Sequence, residues 1–373
     1  MKAFVYTDEG LERYAGRFVW LSINTEEAKN AAFLKRWPIP ALPMLLVLDA
    51  KRDAVTARYV GGATVPHLQK LLDDAEKTYR AKSLSAADTE LAKADRLASE
   101  GKNAEAAKSF EAAIAAAPRN WSKLGRTAES LMFAISGEPS RCATRALELY
   151  PRLKGTISSA NVAATGLSCA ASLEADKRGD LLSKLEKATQ EVFDDRKLAL
   201  SDDDRSGLYL ALIEARDASG DDEGVVELKA EWSAFLDGAA ARAKTPEQRT
   251  VYDSHRLSAY LELGQPEKAV AMLEQSERDF PDDYNPPARL ALAWKALNEF
   301  DKALAASDRA LAKVSGPRRL SVLSVRADIY VAKGDKEAAR ATVAEAVAYA
   351  KSLPEGQRSE RRIAALEKRL SGM

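Results

Sequence analysis

Few side chains in this sequence belong to types that do chemistry. Of 373 residues, two are cysteine and two histidine. His67 and His255 lie far apart, without partners at metal-ligand or triad spacing, so both read as solvated or packing side chains. The acidic run Ser201-Asp202-Asp203-Asp204 would suit a cation. It stands directly before RSGLYLALIEARD, however, where the same residues cap a helix whose dipole favours negative charge. Cys142 and Cys169 become neighbours if 138–153 and 158–174 are antiparallel helices with a turn near 154–156. Two readings stay open for them: small buried hydrophobes, or a disulfide, which needs an oxidising compartment. The phosphate-loop, dinucleotide, H-E-x-x-H and G-x-S-x-G patterns are missing from the sequence. No catalytic residue, metal or cofactor is therefore expected, and the chain as given reads as non-enzymatic.

Lys+Arg and Asp+Glu both number 56, so no global field recruits nucleic acid or an anionic membrane. A hydrophobic fraction of 46% beside 30% charged residues suits a soluble folded protein. No apolar run reaches transmembrane length, and MKAFVYTDEGLERY carries acidic residues where a signal peptide needs an apolar stretch. As written, the chain is expected in the cytoplasm; an exported location requires a start further upstream.

Those side chains must be positioned by two kinds of segment. Residues 1–82 hold short apolar runs, FVWLSI and MLLVLD, between turn residues. From 87 to 373 the chain is rich in Ala, Leu, Glu, Lys and Arg at helical spacing, broken at EGKN, SGEPS, SGDD and ELGQP. Tyr260, Trp294 and Tyr330 are each followed nine residues later by alanine (Ala269, Ala303, Ala339), and seven further on by Ser276, Ala310 and Ala346. Leu97, Ala106 and Ala113 repeat the spacing, and Phe110 with Pro118 matches Leu273 with Pro281. Small residues let paired helices approach, large ones fill the space between hairpins, glycines 264 and 334 cap, and the prolines terminate. The pattern resembles the tetratricopeptide repeat family, over 250–352 and again over 87–120. Further hairpins are expected at 121–152, 158–194 and 203–241, giving seven in all, with a capping helix near 356–371. Trp121 and Trp232 read as packing between hairpins.

The front end reads as helix (7–15), strand (17–23), helix (26–36), strands 44–49 and 54–60 about a tight turn, and helix (64–80). The strand FVWLSIN, then Trp37-Pro38-Ile39, Leu42-Pro43 and Tyr59-Val60-Gly61-Gly62 resemble the C-terminal part of thioredoxin-like domains. That resemblance implies a cis Leu42–Pro43 bond lining a substrate groove and a bulge at glycines 61 and 62. It also implies a Cys-x-x-Cys just before Met1 and Lys2, which this chain does not contain. The expected module, 1–82, is thus partial, lacking a central strand and the motif. Two explanations compete: a coding sequence that starts further upstream, or a truncated fold that serves as a docking cap.

The expected class is mainly α: a superhelical solenoid of tetratricopeptide-like hairpins over 87–373, preceded by the small α/β module. The inner face of the first helices carries Ser254 and Ser258, then Asn285, Ala288 and Leu292, then Ser321, Ser324 and Asp328. These are small or neutral where some family members carry a Lys, Asn and Arg clamp for acidic peptides. A protein or peptide partner is therefore expected to be held by shape, backbone hydrogen bonds and apolar contact. The competing reading is a thiol–disulfide oxidoreductase with its motif upstream; a third is self-association.

Overall fold

The computed structural model describes Met1 and residues 3–373, so Lys2 lies outside the described residues. The first elements are a 3-10 turn over Glu9–Tyr14, a short helix α1 (Ala31–Arg36), strands β1 (Met44–Asp49) and β2 (Ala54–Val60), and helix α2 (Val65–Arg80). The strands pair antiparallel, Met44 opposite Val60 and Asp49 opposite Ala54. Asp49 makes the turn: its Oδ1 accepts the N–H of Lys51 at 2.9 Å and of Arg52 at 3.2 Å. Thr64 caps α2 by accepting the His67 N–H, and Leu68, Leu71, Leu72 and Ala75 form its buried stripe. Tyr14, wholly buried, donates to the Gln69 carbonyl at 2.8 Å and to Asp73 at 2.9 Å, fixing the opening turn to α2.

Seven helical hairpins follow. The first pairs are α3 (Ala86–Ser99) with α4 (Asn103–Ala116), and α5 (Leu124–Ile135) with α6 (Pro139–Leu153). The third consists of α7 (Ile157–Ala171), a single turn α8 (Ala175–Arg178) and α9 (Leu181–Asp194), and the fourth of α10 (Asp202–Ser219) and α11 (Asp222–Ala241). After the short α12 (Pro246–Thr250) come α13 (Asp253–Glu262) with α14 (Pro266–Asp279), and α15 (Asn285–Ala296) with α16 (Phe300–Leu311). The last pair is α17 (Arg319–Lys333) with α18 (Lys336–Ser352), before α19 (Glu360–Ser371). With 69% of residues helical, the chain is a mainly α solenoid carrying one small two-stranded sheet.

The expected packing roles hold residue by residue. Ala106, Ala113, Ala269, Ala303, Ala310 and Ala339 are all fully buried, as are Phe110 and Leu273. Gly264 and Gly334 take φ of 66° and 86°, the left-handed conformation expected of helix ends. Where the second hairpin meets the third, both without the repeat signature, another small residue permits the close approach. A Cβ on Gly166 of α7 would collide with the Ala146 methyl of α6 and lie 3.0 Å from Leu185.

The chain divides into two compact units. One holds Met1–Arg17 and Ile39–Trp232; the other holds Phe18–Pro38 and Ser233–Met373. In the first, α3 packs on β2. There Arg126 donates to Asp95, at 2.8 and 3.1 Å, and to the Arg58 carbonyl at 3.0 Å. In the second, one core gathers Leu257, Tyr260, Leu273, Leu290 and Ile329, and another gathers Leu320, Leu323, Val347, Ile363 and Leu366.

The front end departs from expectation. Residues 19–24 are neither strand nor helix, so the expected strand 17–23 does not form, and Val19 and Leu21 are 88% and 77% exposed. An isolated apolar stretch becomes a strand only beside a neighbour to pair with. Here the polar residues that follow it are bound within the second unit instead. The expected helix 7–15 is a 3-10 turn, and the expected helix 26–36 is a 3-10 turn at Ala28–Asn30 running into α1. The register irregularity of the hairpin falls at Thr56 of β2, opposite the Val47–Leu48 step of β1, rather than at glycines 61 and 62. Leu42–Pro43 is cis.

The crossing at Gly166 sets a direct test. Gly166→Ala lowers stability by roughly 1–3 kcal/mol through overpacking against α6. Gly207→Ala, at an open position inside α10, raises it by roughly 0.5–1 kcal/mol. Urea unfolding followed by circular dichroism measures both, and a loss of equal size at the two positions would refute the close-approach account.

Candidate peptide-docking site

The first helices of the last three repeats lie side by side, α13 against α15 and α15 against α17. This arrangement brings the expected inner-face residues onto neighbouring helices. Ser258 is exposed, while Ser254, Asn285, Leu292, Ser324 and Asp328 are half-buried. Several have structural engagements. The Ser258 hydroxyl donates to the Ser254 carbonyl at 3.2 Å, and the Ser324 hydroxyl to the Leu320 carbonyl at 2.8 Å, both one helical turn back. Asn285 donates to Asp283, and Leu292 packs against the core. Asp328 accepts from Arg369 at 2.6 Å, and Ser321 from Arg362 at 2.9 Å, so α19 occupies part of the α17 surface.

Charge is present where small neutral residues had been counted. Arg289, one turn beyond Asn285 on α15, is half-buried; burial lowers its pKa and Asp253 is the largest opposing influence. Asp253 on α13 is wholly buried, and burial pushes its carboxyl pKa upward while Ser276 and then Arg289 oppose the shift. Arg318 and Arg362 add two more cationic groups near the start of α17, and burial lowers the pKa of Arg362 while Glu26 opposes the shift. The sequence signal for Arg289 was the i, i+4, i+7 series Asn285, Arg289, Leu292.

A chain segment already lies in this unit. The Glu26 carboxylate accepts the Arg318 backbone N–H at 2.8 Å and stands 3.5 Å from its guanidinium. Gln357, itself buried, donates to the Thr25 carbonyl at 2.8 Å. Lys35 pairs with Glu355 at 2.8 Å, and Leu34 is buried.

The remaining candidates lie at several places in the fold. Asp204 forms a capping box with Ser201, each accepting from the other's backbone N–H at 3.1 Å. His67 lies 6.2 Å from the Tyr59 ring, and His255 is half-buried in α13. Trp232, read from the sequence as packing between hairpins, is fully buried and donates to Ser206 at 2.7 Å, while Trp121 donates to Asp88 at 3.2 Å. Leu42 is exposed and Pro43 half-buried, ahead of β1. Cys142 and Cys169, both buried, are joined in a disulfide between α6 and α7, with Cα atoms 6.1 Å apart.

No family model matches the chain, and no curated protein matches it. Among solved structures, the chain is similar to MamA of AMB-1, at 23% identity over 44% of this chain and 86% of that one, with a TM-score of 0.28. It is similar also to the TPR2AB domain of yeast Sti1, solved as a pHSP90 complex, at 18% identity over 76% and 98%, TM-score 0.28. The APC/C heterotetramer Cut9–Hcn1 matches at 13% over 82% and 54%, TM-score 0.38. At these scores the architecture rests on the chain's own hairpins.

Two measurements follow. A carboxyl whose folded pKa is raised binds its proton more tightly in the native state, so its contribution to stability is present at acid pH and lost as pH rises through the folded value. Asp253→Asn therefore raises the urea midpoint at neutral pH, and the gain vanishes near about pH 3, below the ordinary carboxylate range. A lower midpoint at neutral pH would mean that Arg289 needs the countercharge more than Asp253 suffers from burial. Replacing both cysteines by alanine lowers stability by roughly 2–4 kcal/mol under non-reducing conditions, and adding reductant then changes nothing further. An unchanged midpoint would show the cysteines to be packing residues only.

Proposed function

We propose that the chain is a non-catalytic scaffold that binds a protein or peptide partner on its tetratricopeptide-like solenoid. The observation that carries this reading is the contiguous surface of α13, α15 and α17, on which Ser258, Asn285 and Leu292 sit beside the half-buried Arg289. Helical-repeat surfaces recognise extended or helical segments by combining shape with a few placed polar groups. Arg289 supplies a cation suited to a carboxylate, which gives the surface a charge preference as well as a shape. The Cys142–Cys169 bond supports an oxidising compartment over the cytoplasm. No helix among the described residues is long and apolar enough to cross a membrane.

The thioredoxin-like reading of residues 1–82 draws support from the β1–β2 hairpin with α2 behind it. Both cysteines of this chain are held in a disulfide between α6 and α7, outside residues 1–82.

Two assays test the proposal. Selection from a displayed peptide library on the immobilised chain enriches acidic peptides, and enrichment falls about tenfold on Arg289→Ala, the value of one charge-assisted contact. Enrichment of no sequence, or the same enrichment on Arg289→Ala, sinks the scaffold reading at this surface. Insulin reduction run on this chain and on a form extended upstream separates the alternative: activity only in the extended form establishes the redox reading.

A further inference from the structure

Within the second unit, a set of polar contacts serves no helical hairpin. It surrounds residues 24–36. Two glycines shape the surface there: a Cβ on Gly316, whose φ is 60°, would lie 2.5 Å from the Glu26 carbonyl oxygen, and one on Gly356 would overlap the Ala31 carbonyl. Both leave room for a main chain and for nothing larger. The buried Gln357 amide reads one carbonyl of that main chain, at Thr25, and Arg318 reads the carboxylate that follows it, at Glu26. Glycines against a backbone, an amide on a carbonyl and an arginine on a carboxylate are the components of a peptide site.

The segment in this site is held at its middle. Residues 19–24 on one side and 38–43 on the other belong to no helix or strand, and Trp20 is half-exposed beside the exposed Val19 and Leu21. Segments with few buried apolar contacts and little regular structure open at low free-energy cost.

We propose that this groove is a peptide-binding site whose internal occupant, residues 24–36, is displaceable. The competing ligand is a partner protein's segment that presents a Glu or Asp carboxylate directly after an accessible carbonyl and continues into a short helix. The inference rests on the peptide-binding reading above but concerns a different surface, at the approach to α17 and the turn before α19. While the internal segment is seated, apparent affinity for the competitor is reduced by the fraction of chains in which the groove is open.

The probe is a fluorescent synthetic peptide spanning residues 18–38, titrated into the full chain. Wild type binds it weakly, because the groove is filled; Glu26→Lys, which releases the internal segment, binds it about tenfold more tightly or better. The same peptide carrying Glu26→Lys loses about tenfold on the same protein, a comparison that does not depend on how the protein variant folds. Adding Gly356→Val to the Glu26→Lys chain abolishes binding. Equal binding by wild type and Glu26→Lys overturns the displaceable occupant, and binding by neither overturns the site. A wild-type chain that sediments as a dimer, and as a monomer once Glu26→Lys is made, places the segment on a second copy and also overturns it. The library selection on α13, α15 and α17 is independent of Glu26, so a failure here leaves that surface standing.

Discussion

Close approach of paired helices is the constraint on which the structure depends. A helical hairpin buries its apolar stripe only if the facing backbones come near enough for side chains to interlock, and a large residue at the crossing prevents it. In the recognisable repeats alanine holds those positions, and Ala106, Ala269, Ala303 and Ala339 are accordingly fully buried. Between α6 and α7 the crossing is tighter still, at Gly166 against Ala146, and there the Cys142–Cys169 bond ties the same two helices covalently. At this crossing between the second and third hairpins, glycine meets the constraint that alanine meets in the repeats.

The solenoid was legible in the sequence. Spacing of small and large residues located the four hairpins over 87–120 and 250–352, and helical rhythm between turn residues located the three at 121–152, 158–194 and 203–241. Capping was equally readable: Ser201 with Asp204, and the left-handed Gly264 and Gly334, act through local geometry that three or four residues determine. The front end was less legible, because strand formation is not local. FVWLSI has the composition of a strand, but a strand needs a partner along its edge, and composition does not say whether one exists. The β1–β2 hairpin carried its partner and its turn in adjacent sequence, and it formed as expected.

The candidate site was hidden for a related reason. Counting along α13, α15 and α17 found Ser258 on α13 and Asn285 with Leu292 on α15, but Asp328 and Ser321 were given to α19 by contacts from Arg369 and Arg362. Each of those pairs spans 41 residues, beyond any helical period. The contacts of Glu26 with Arg318 and of Thr25 with Gln357 span 292 and 332 residues, and no spacing rule reaches so far.

The charges then argue for how this surface discriminates. Burial raises the pKa of Asp253 and lowers that of Arg289, and each group opposes the other's shift. Desolvated groups with incomplete partners cost stability in the free protein. They return that cost only when a ligand supplies what is missing, and they penalise a ligand that does not. Arg318, by contrast, has its carboxylate in Glu26. Arg289 instead has the buried Asp253 as its largest opposing charge. On the proposed peptide-binding reading, recognition by charge rests on arginines placed by the fold, while the serines and asparagine that the sequence offered set the shape around them.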